Sequence, residues 1–288
     1  MPYYEFPCPV CHVNTNISES VCAACGHPFA QTVNIRRALL KTEVFTLEKR
    51  YKEAKETLTN RSLTSEGDFL ENEVLVKGKA VINLDFPFLW DWLMHRDRSY
   101  QSYRRIVIEG LRQRADFEND LQRSIVESYL FGSHIDIIYA ALSLNESGLI
   151  SYGKVSIILK TKAIEPRTSL LEKNSYVFVD EAVAQGWNHK MPLPPGSMAP
   201  WRNRHQLALV KCQDRVVPGL TSDQAASIIL YSDGNRANDD FMELYIYGNI
   251  VKAVVEKIKI PLSLKKGFNE KVLAQYEELK TKFIVEEY

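Results

Sequence analysis

The sequence predicts an α+β protein in which a small metal-binding ribbon and a helical connector precede a β-sheet domain. Four of the five cysteines lie within the first 25 residues, and helical periodicity dominates the next hundred. Strand-like apolar runs become frequent from residue 131 onward. We therefore expect a ribbon over residues 1–30, a helical and hairpin connector over 31–130, and a mixed sheet domain with helices at its ends over 131–288.

Composition and charge exclude several classes of protein. The 288 residues are 45% apolar and 25% charged, which is typical of a globular chain and excludes disorder, collagen-like repeats and a disulfide-dense miniprotein. The 36 basic residues balance the 36 acidic residues, so any contact with nucleic acid is expected to be local.

The amino terminus and the apolar runs predict the compartment. The first seven residues lack the basic segment and apolar stretch of a signal peptide, and no run approaches the roughly 18–20 apolar residues of a membrane span. We therefore expect no membrane association and a cytoplasmic location. Clustered thiols in such a reducing compartment are typical metal ligands.

The four amino-terminal cysteines form two Cys-x-x-Cys knuckles, Cys8/Cys11 and Cys22/Cys25, with ten residues between them. This arrangement resembles zinc ribbons and predicts a closed, structural Zn²⁺ site. The loop between the knuckles has no Lys or Arg from residue 12 to residue 20. A role in docking a protein or in stapling the fold is thus at least as well supported as nucleic-acid binding.

Helices are expected over residues 31–61, 100–130 and 269–287, where apolar residues recur at helical spacing. A hairpin is expected from residues 73–76 and 80–84. The predicted strands of the sheet domain are residues 154–160, 175–179, 206–211, 226–231, 241–247 and 251–258.

The segment 241–247 stands out because one carboxylate alternates with aromatic residues. As a strand it would place Phe241, Glu243, Tyr245 and Tyr247 on one face and apolar residues on the other. Such a face suits a cleft that binds a planar ring beside a sugar. Standard motifs of kinases, dinucleotide dehydrogenases, zinc proteases and serine hydrolases are absent.

Four segments together resemble a diverged ADP-ribosyltransferase domain of the type found in bacterial toxins and toxin–antitoxin systems. Gly148-Leu149 with Tyr152-Gly153 resembles one glycine-bearing segment of that family, and Arg167-Thr168-Ser169 resembles its Ser/Thr-bearing strand. The loop 232–238 resembles its substrate-recognition loop, and Glu243 resembles its catalytic glutamate. The resemblance covers under half of the chain, about residues 131–248, and implies a split mixed sheet.

The resemblance also implies an activity, ADP-ribosyl transfer from NAD⁺ with Glu243 as the catalytic residue. The residues that would contact NAD⁺ are Ser133, His134, Tyr152, Arg167, Ser169 and Tyr245, with Arg204 as a second candidate for the diphosphate. Phe241 stands where arginine-modifying members carry Glu or Gln, which favours another acceptor, such as RNA or DNA. A growth-inhibiting or phage-defence toxin, held by an antitoxin protein, is the implied biology.

The sequence is also compatible with two other functions. A non-enzymatic adaptor would use the ribbon and the arginine-rich segment 104–123 to bind protein or nucleic acid. A metal-dependent nuclease would need the carboxylates of Asp233, Asp239, Asp240 and Glu243 to converge on metal ions.

Overall fold

The computed structural model describes residues 4–95, 98–111, 127–132, 136–188, 191 and 193–288. Two short strands build an amino-terminal hairpin, and eight build the main sheet. The strands are β1 (Glu5–Pro7), β2 (Asn14–Asn16), β3 (Lys79–Leu84), β4 (Ile137–Ser143), β5 (Val155–Leu159), β6 (Thr168–Leu171), β7 (Met198–Pro200), β8 (Glu243–Tyr247), β9 (Val255–Ile260) and β10 (Val285–Glu287).

Helices flank both faces of the sheet. Those that we label are α1 (Val33–Ala38), α2 (Lys41–Asn60), α3 (Thr64–Lys77), α4 (Phe86–Met94), α5 (Tyr103–Ile108), α6 (Thr161–Ile164), α7 (Ser175–Ala184), α8 (Arg204–Cys212), α9 (Ser222–Ile229), α10 (Leu262–Lys265) and α11 (Glu270–Lys282).

The main sheet is mixed and has the strand order β10-β9-β5-β3-β4-β8-β6-β7. Strands β9 and β10 pair in parallel, and the other neighbours are antiparallel. The α+β class and the mixed sheet are therefore confirmed. The eight described strands of the main sheet are continuous, whereas the resemblance implies a split sheet. Strand β3 lies near its centre, so the sheet crosses the boundary predicted at residue 131.

The two faces of the sheet have different covers, as the alternation of side chains in β8 illustrates. Leu244 and Ile246 belong to a large apolar core with α2, α3, α4, α8, α9 and α11, and we call this side the helix face. Glu243, Tyr245 and Tyr247 alternate with them and therefore point to the opposite side, which we call the ribbon face. Tyr245 belongs there to a second, smaller core.

The ribbon face is covered by α1, α7 and the amino-terminal ribbon. All six residues of α1 are buried, because the helix packs on β6, β7 and β8 and also beneath the ribbon. Tyr4 and Ile17 of the ribbon join the second core. The ribbon thus packs directly on the rest of the chain.

The predicted strands 154–160 and 251–258 correspond to β5 and β9, and the carboxy-terminal helix corresponds to α11. The predicted strand 241–247 corresponds to β8 from Glu243 onward. Phe241 precedes β8 and joins the core of the helix face, so the prediction that it shares a face with Glu243 is wrong. The prediction of strands at 175–179, 206–211 and 226–231 is wrong, because these residues fall wholly or largely in α7, α8 and α9. Residues 73–76 likewise lie in α3 and not in a hairpin. Each is a short apolar run, for which periodicity alone does not separate strand from helix.

Two predicted helices differ from the structure in extent. The helix expected over residues 31–61 divides into α1 and α2. Much of the helix expected over 100–130 lies outside the described residues.

Helix length and hydropathy bear on membrane insertion. Within the described ranges, no helix is both long enough and apolar enough to cross a membrane.

Candidate functional site

The four amino-terminal thiols converge on one point. The Sγ atoms of Cys8, Cys11, Cys22 and Cys25 all lie within 4.8 Å of one another. Cys8 Sγ is 3.7 Å from Cys25 Sγ, and Cys11 Sγ is 3.6 Å from Cys22 Sγ. A tetrahedral ion about 2.3 Å from each sulfur would set these separations at about 3.8 Å. The thiols therefore fit a single metal ion.

The backbone of the two knuckles is shaped for this convergence. Val10 donates its N–H to Cys8 Sγ at 3.4 Å, and Gly26 donates its N–H to the Cys22 carbonyl at 2.8 Å. Gly26 has φ +72°, which glycine adopts without strain. A hydrogen bond from the Thr15 hydroxyl is the main reason that the pKa of Cys22 is lowered to about 6. A thiolate at neutral pH is the form that binds metal.

The second feature is a carboxylate on the ribbon face. Glu243 begins β8, is 7% exposed, and lies opposite Ala141 of β4 and Leu171 of β6. Its Oε2 accepts the N–H of Ser175 at 3.0 Å and the hydroxyl of Tyr245 at 2.9 Å. The carboxylate therefore lies at the amino-terminal end of α7, where the helix dipole favours negative charge.

Tyr245 is a direct side-chain partner of Glu243. It is completely buried, with its ring edge-on to those of Phe131 at 4.8 Å and Tyr139 at 5.5 Å. Burial, together with the charge of Glu243, raises the pKa of Tyr245 well above its usual value, so the phenol stays a hydrogen-bond donor. A nicotinamide could stack on this ring only after the covering residues had moved.

Ser169 shares the ribbon face with Glu243. It is completely buried on β6, directly opposite Tyr245 on β8. Its Oγ has no hydrogen-bond partner within the part of the chain that the structure describes. Buried hydroxyls without a partner are uncommon, so this position calls for a partner such as a water or a ligand.

Arg167 and Arg204, the candidates for a diphosphate, already have backbone partners. Arg167 Nη1 donates to the carbonyls of Tyr247 at 2.5 Å and Gly248 at 3.0 Å. Arg204 donates to three backbone carbonyls, in α3 and just before its own helix. In this arrangement both guanidinium groups hold backbone segments together.

Tyr152 lies where two of the predicted motifs meet. Its ring is 38% exposed, and the Arg236 guanidinium lies 4.4 Å from the ring centroid. Ser151 Oγ donates to Asp239 at 2.5 Å. The segment 148–153 therefore contacts the loop 232–238. Residues of both line a cavity of about 690 Å³, and Glu243 is not among its lining residues.

The segment 148–153 is fixed against the sheet. Asn83 of β3 accepts the N–H of Leu149 at 2.7 Å and donates to the carbonyls of Ser147 and Gly153. Gly148 has φ +61°, and a Cβ atom there would lie 2.1 Å from Asn83 Oδ1. Close packing therefore requires glycine at this position of the predicted motif.

Ser133 and His134, the remaining predicted contacts of NAD⁺, lie outside the described residues. The NAD⁺ contacts as a group stay predictions.

Sequence reasoning missed three contributors to the ribbon face. The Ser175 N–H is one, and Asn34 of α1, which donates to the carbonyls of Arg167 at 3.0 Å and Tyr245 at 2.7 Å, is another. Glu127 is the third, because its charge contributes to the raised pKa of Tyr245. Of these three, only the Ser175 N–H had a signal in the sequence. Asn174 precedes it, and Asn is a common cap at the start of a helix.

The carboxylates proposed for a nuclease do not form a cluster. Across the described ranges, the four cysteines are the only group of three or more potential ligands close enough for one metal ion. Asp240 pairs with Lys211 and Arg215, and Asp239 accepts from Ser151. These contacts leave the nuclease hypothesis without structural support.

A scan against protein-family models found none that matches the chain, and a search of curated proteins found no matching relative.

Proposed function

We propose that the chain is an NAD⁺-dependent ADP-ribosyltransferase with Glu243 as its catalytic carboxylate. The pairing of β6 with β8 carries the proposal, because it brings Ser169 opposite Tyr245 and Leu171 opposite Glu243. The resemblance to the transferases rests in part on a Ser/Thr-bearing strand and a glutamate-bearing strand. Their pairing gathers the two motifs on one face of the sheet.

The hydrogen bonds of Glu243 suit the chemistry. When the bond between C1′ of the ribose and nicotinamide breaks, nicotinamide leaves with the electron pair and the ribose becomes an oxocarbenium-like cation. A carboxylate beside the ribose 2′-hydroxyl would stabilise this charge. It would also accept the proton of the nucleophile that attacks C1′. The Ser175 N–H and the Tyr245 hydroxyl hold the carboxylate in one orientation for both tasks.

We also propose that the ribbon binds Zn²⁺ as a structural ion. Four sulfurs would fill a tetrahedral shell and would leave no open position for a substrate. Zn²⁺ would supply folding free energy to the ribbon and take no part in the transfer.

The test uses NAD⁺ that is labelled in its ADP-ribose part and measures transfer of the label to an acceptor. Protein would be incubated with cell lysate in zinc-loaded and metal-depleted forms, with and without ribonuclease and deoxyribonuclease, to identify the class of acceptor. We expect Glu243→Gln to lower transfer by about 10²–10⁴-fold, because it removes the proton acceptor and keeps the shape. Glu48→Gln, on an exposed position of α2, is the matched control and should transfer like the wild type.

Two results would contradict the proposal. One is no transfer by the wild type in either metal state, and the other is equal transfer by Glu243→Gln and the wild type.

A non-enzymatic adaptor is the second candidate, favoured by the surface of the ribbon. Val10, Val13 and Val21 are all exposed there, at 59%, 48% and 44%. A contiguous apolar patch is typical of protein docking sites, and these three side chains could supply one. Absence of transfer in the experiment above would favour this candidate.

A further inference from the structure

We propose that the ribbon and α1, residues 4–38, form a lid over the ribbon face, and that metal binding by the four cysteines keeps this lid closed. The lid controls access to the face that bears Glu243. Its consequence for catalysis rests on the proposed function, but its structural test does not.

Helix α1 lies between the sheet and the ribbon, and its helical order depends on both. This helix has six residues, all of them buried, and it contacts β6, β7 and β8. A helix of this length is not stable alone, because it has too few hydrogen bonds to offset the entropy of nucleation. Its order therefore depends on the layers that enclose it, which are the sheet and the ribbon.

Two arginines of α1 hold the ribbon. Arg36 is 3% exposed and donates through Nη2 to the carbonyls of Ile17 at 2.6 Å and Glu19 at 2.8 Å. The Arg37 guanidinium lies over the ring of Tyr4, 4.1 Å from its centroid. If the ribbon left, the Arg36 guanidinium would lose these ribbon carbonyl acceptors, which would destabilise the closed arrangement of α1.

The ribbon has little to stabilise it besides its metal site. Its regular structure is one hairpin of two three-residue strands and a single antiparallel bridge between Val21 and Pro28. The buried apolar side chains among its described residues, apart from the cysteines, are Tyr4 and Ile17. A segment of this size does not bury enough apolar surface to fold without a metal or disulfides. Thiolate ligation therefore supplies the free energy that orders the ribbon.

These contacts connect the cysteines to the ribbon face in three steps. Ligation orders the ribbon, the ribbon fixes α1 through Arg36 and Arg37, and α1 covers the strands that carry Ser169 and Tyr245. Glu243 is 7% exposed on this face, so a molecule as large as NAD⁺ cannot reach it until the cover of the ribbon face, of which the lid is one part, moves. Loss of the metal, or of the Arg36 contacts, should open the lid.

A cysteine at position 169 tests this directly. Ser169 is completely buried beneath the lid and its Oγ makes no hydrogen bond within the described residues, so Ser169→Cys is a conservative probe. Cys212 is an internal reference, because it is buried in the core of the helix face. The rates of alkylation by iodoacetamide would be measured separately for each cysteine by peptide mass spectrometry.

We expect both cysteines to be unreactive in the zinc-loaded protein. After chelation, alkylation of the cysteine at position 169 should rise by at least about tenfold, as expected of a local opening, and that of Cys212 should not change. A second variant, Ser169→Cys with Arg36→Met, should become reactive at position 169 while zinc is bound. Cobalt absorption would verify that its four-thiolate site remains intact.

The matched control is Ser169→Cys with Arg61→Met. Arg61 also donates to two backbone carbonyls, those of Gln213 at 2.6 Å and Val216 at 2.8 Å, and both acceptors lie outside the ribbon. This control should leave position 169 unreactive.

Two outcomes would overturn the proposal. One is equal alkylation of position 169 with and without metal. The other is a rise in the alkylation of both position 169 and Cys212 after chelation, because that result would indicate global unfolding and not the opening of a lid. Neither outcome depends on any turnover of NAD⁺.

Discussion

The helix face and the ribbon face of the sheet are stabilised in different ways. The helix face carries a large core of apolar side chains from several helices and from the sheet, including Leu58 and Leu244. The ribbon face has a smaller core, and polar groups lie buried there, including Asn34 and Arg36 of the cover and Glu243 of the sheet. An apolar core is insensitive to metal and pH, whereas a polar cover depends on every partner being present. The two faces should therefore tolerate different changes.

Metal removal should have the largest effect, and it should be confined to the ribbon face. Binding of structural zinc contributes on the order of 10 kcal/mol to folding of small zinc domains. We expect Cys22→Ser, or chelation, to abolish amide-exchange protection over residues 4–29 and to leave that of β4 and β9 intact. Protected ribbon amides in the metal-free protein would contradict this.

Truncation of a side chain in the core of the helix face should cause the next largest loss of stability. Leu244→Ala removes a completely buried side chain, and we expect a loss of about 3 kcal/mol in the free energy of unfolding. Urea unfolding with and without chelator would measure it. The loss should be the same in both, because the helix face is independent of the ribbon. A loss that disappears on chelation would show that the two faces are coupled.

A smaller loss is expected from Tyr245→Phe on the opposite face. The variant keeps the ring but removes the hydroxyl that Glu243 accepts, which leaves the carboxylate with one fewer donor. We expect a loss of about 1–2 kcal/mol in the free energy of unfolding, measured with urea. Tyr231→Phe, at a half-exposed ring, is the matched control and should cost little. Equal losses for the two variants would argue against a stabilising role for the buried hydroxyl.

The smallest effect concerns pH and the carboxylate of Asp240. Burial raises the pKa of Asp240, but Lys211 and Arg215 outweigh it, and the net pKa is lowered. A lowered folded pKa means that the stabilisation is present above the unfolded pKa, about 3.9, and is lost as pH falls through the folded value. Solvent screens this half-exposed carboxylate, so Asp240→Asn should cost about 1 kcal/mol at neutral pH.

Urea unfolding over a range of pH would check this assignment. The difference between Asp240→Asn and the wild type should begin to shrink below about pH 4, because the unfolded chain then binds a proton at Asp240, and it should be lost once the folded carboxylate is protonated at lower pH. A difference that stays constant with pH would argue against the ion pairs of Asp240 as its source.

The features that the sequence predicted are those whose geometry is local. Two residues between the cysteines of a knuckle suffice to direct both thiols to one ion, and alternation in β8 places Glu243 opposite the helix face. Contacts distant in sequence could not be predicted in this way. Asn34 reaches the carbonyl of Tyr245, and the cover that buries Tyr245 begins at the amino terminus, so no local pattern shows that the predicted cleft is covered.

The errors in secondary structure have a common physical cause. Residues 206–211 resemble a strand because Leu207, Leu209 and Val210 are apolar, but all three are buried within α8 against the helix face. A helix with apolar residues on most sides lacks the polar stripe that identifies it. Tertiary packing decided its conformation.

The most direct test is release of nicotinamide from NAD⁺ by the lid variant Arg36→Met, compared with Arg36→Met combined with Glu243→Gln. We predict faster release by Arg36→Met than by the zinc-loaded wild type, because the lid no longer blocks Glu243. The double variant should be slower than Arg36→Met by about 10²–10⁴-fold. Equal rates for the single and double variants, or no release by either, would contradict the assignment of Glu243 as the catalytic residue on a lidded face.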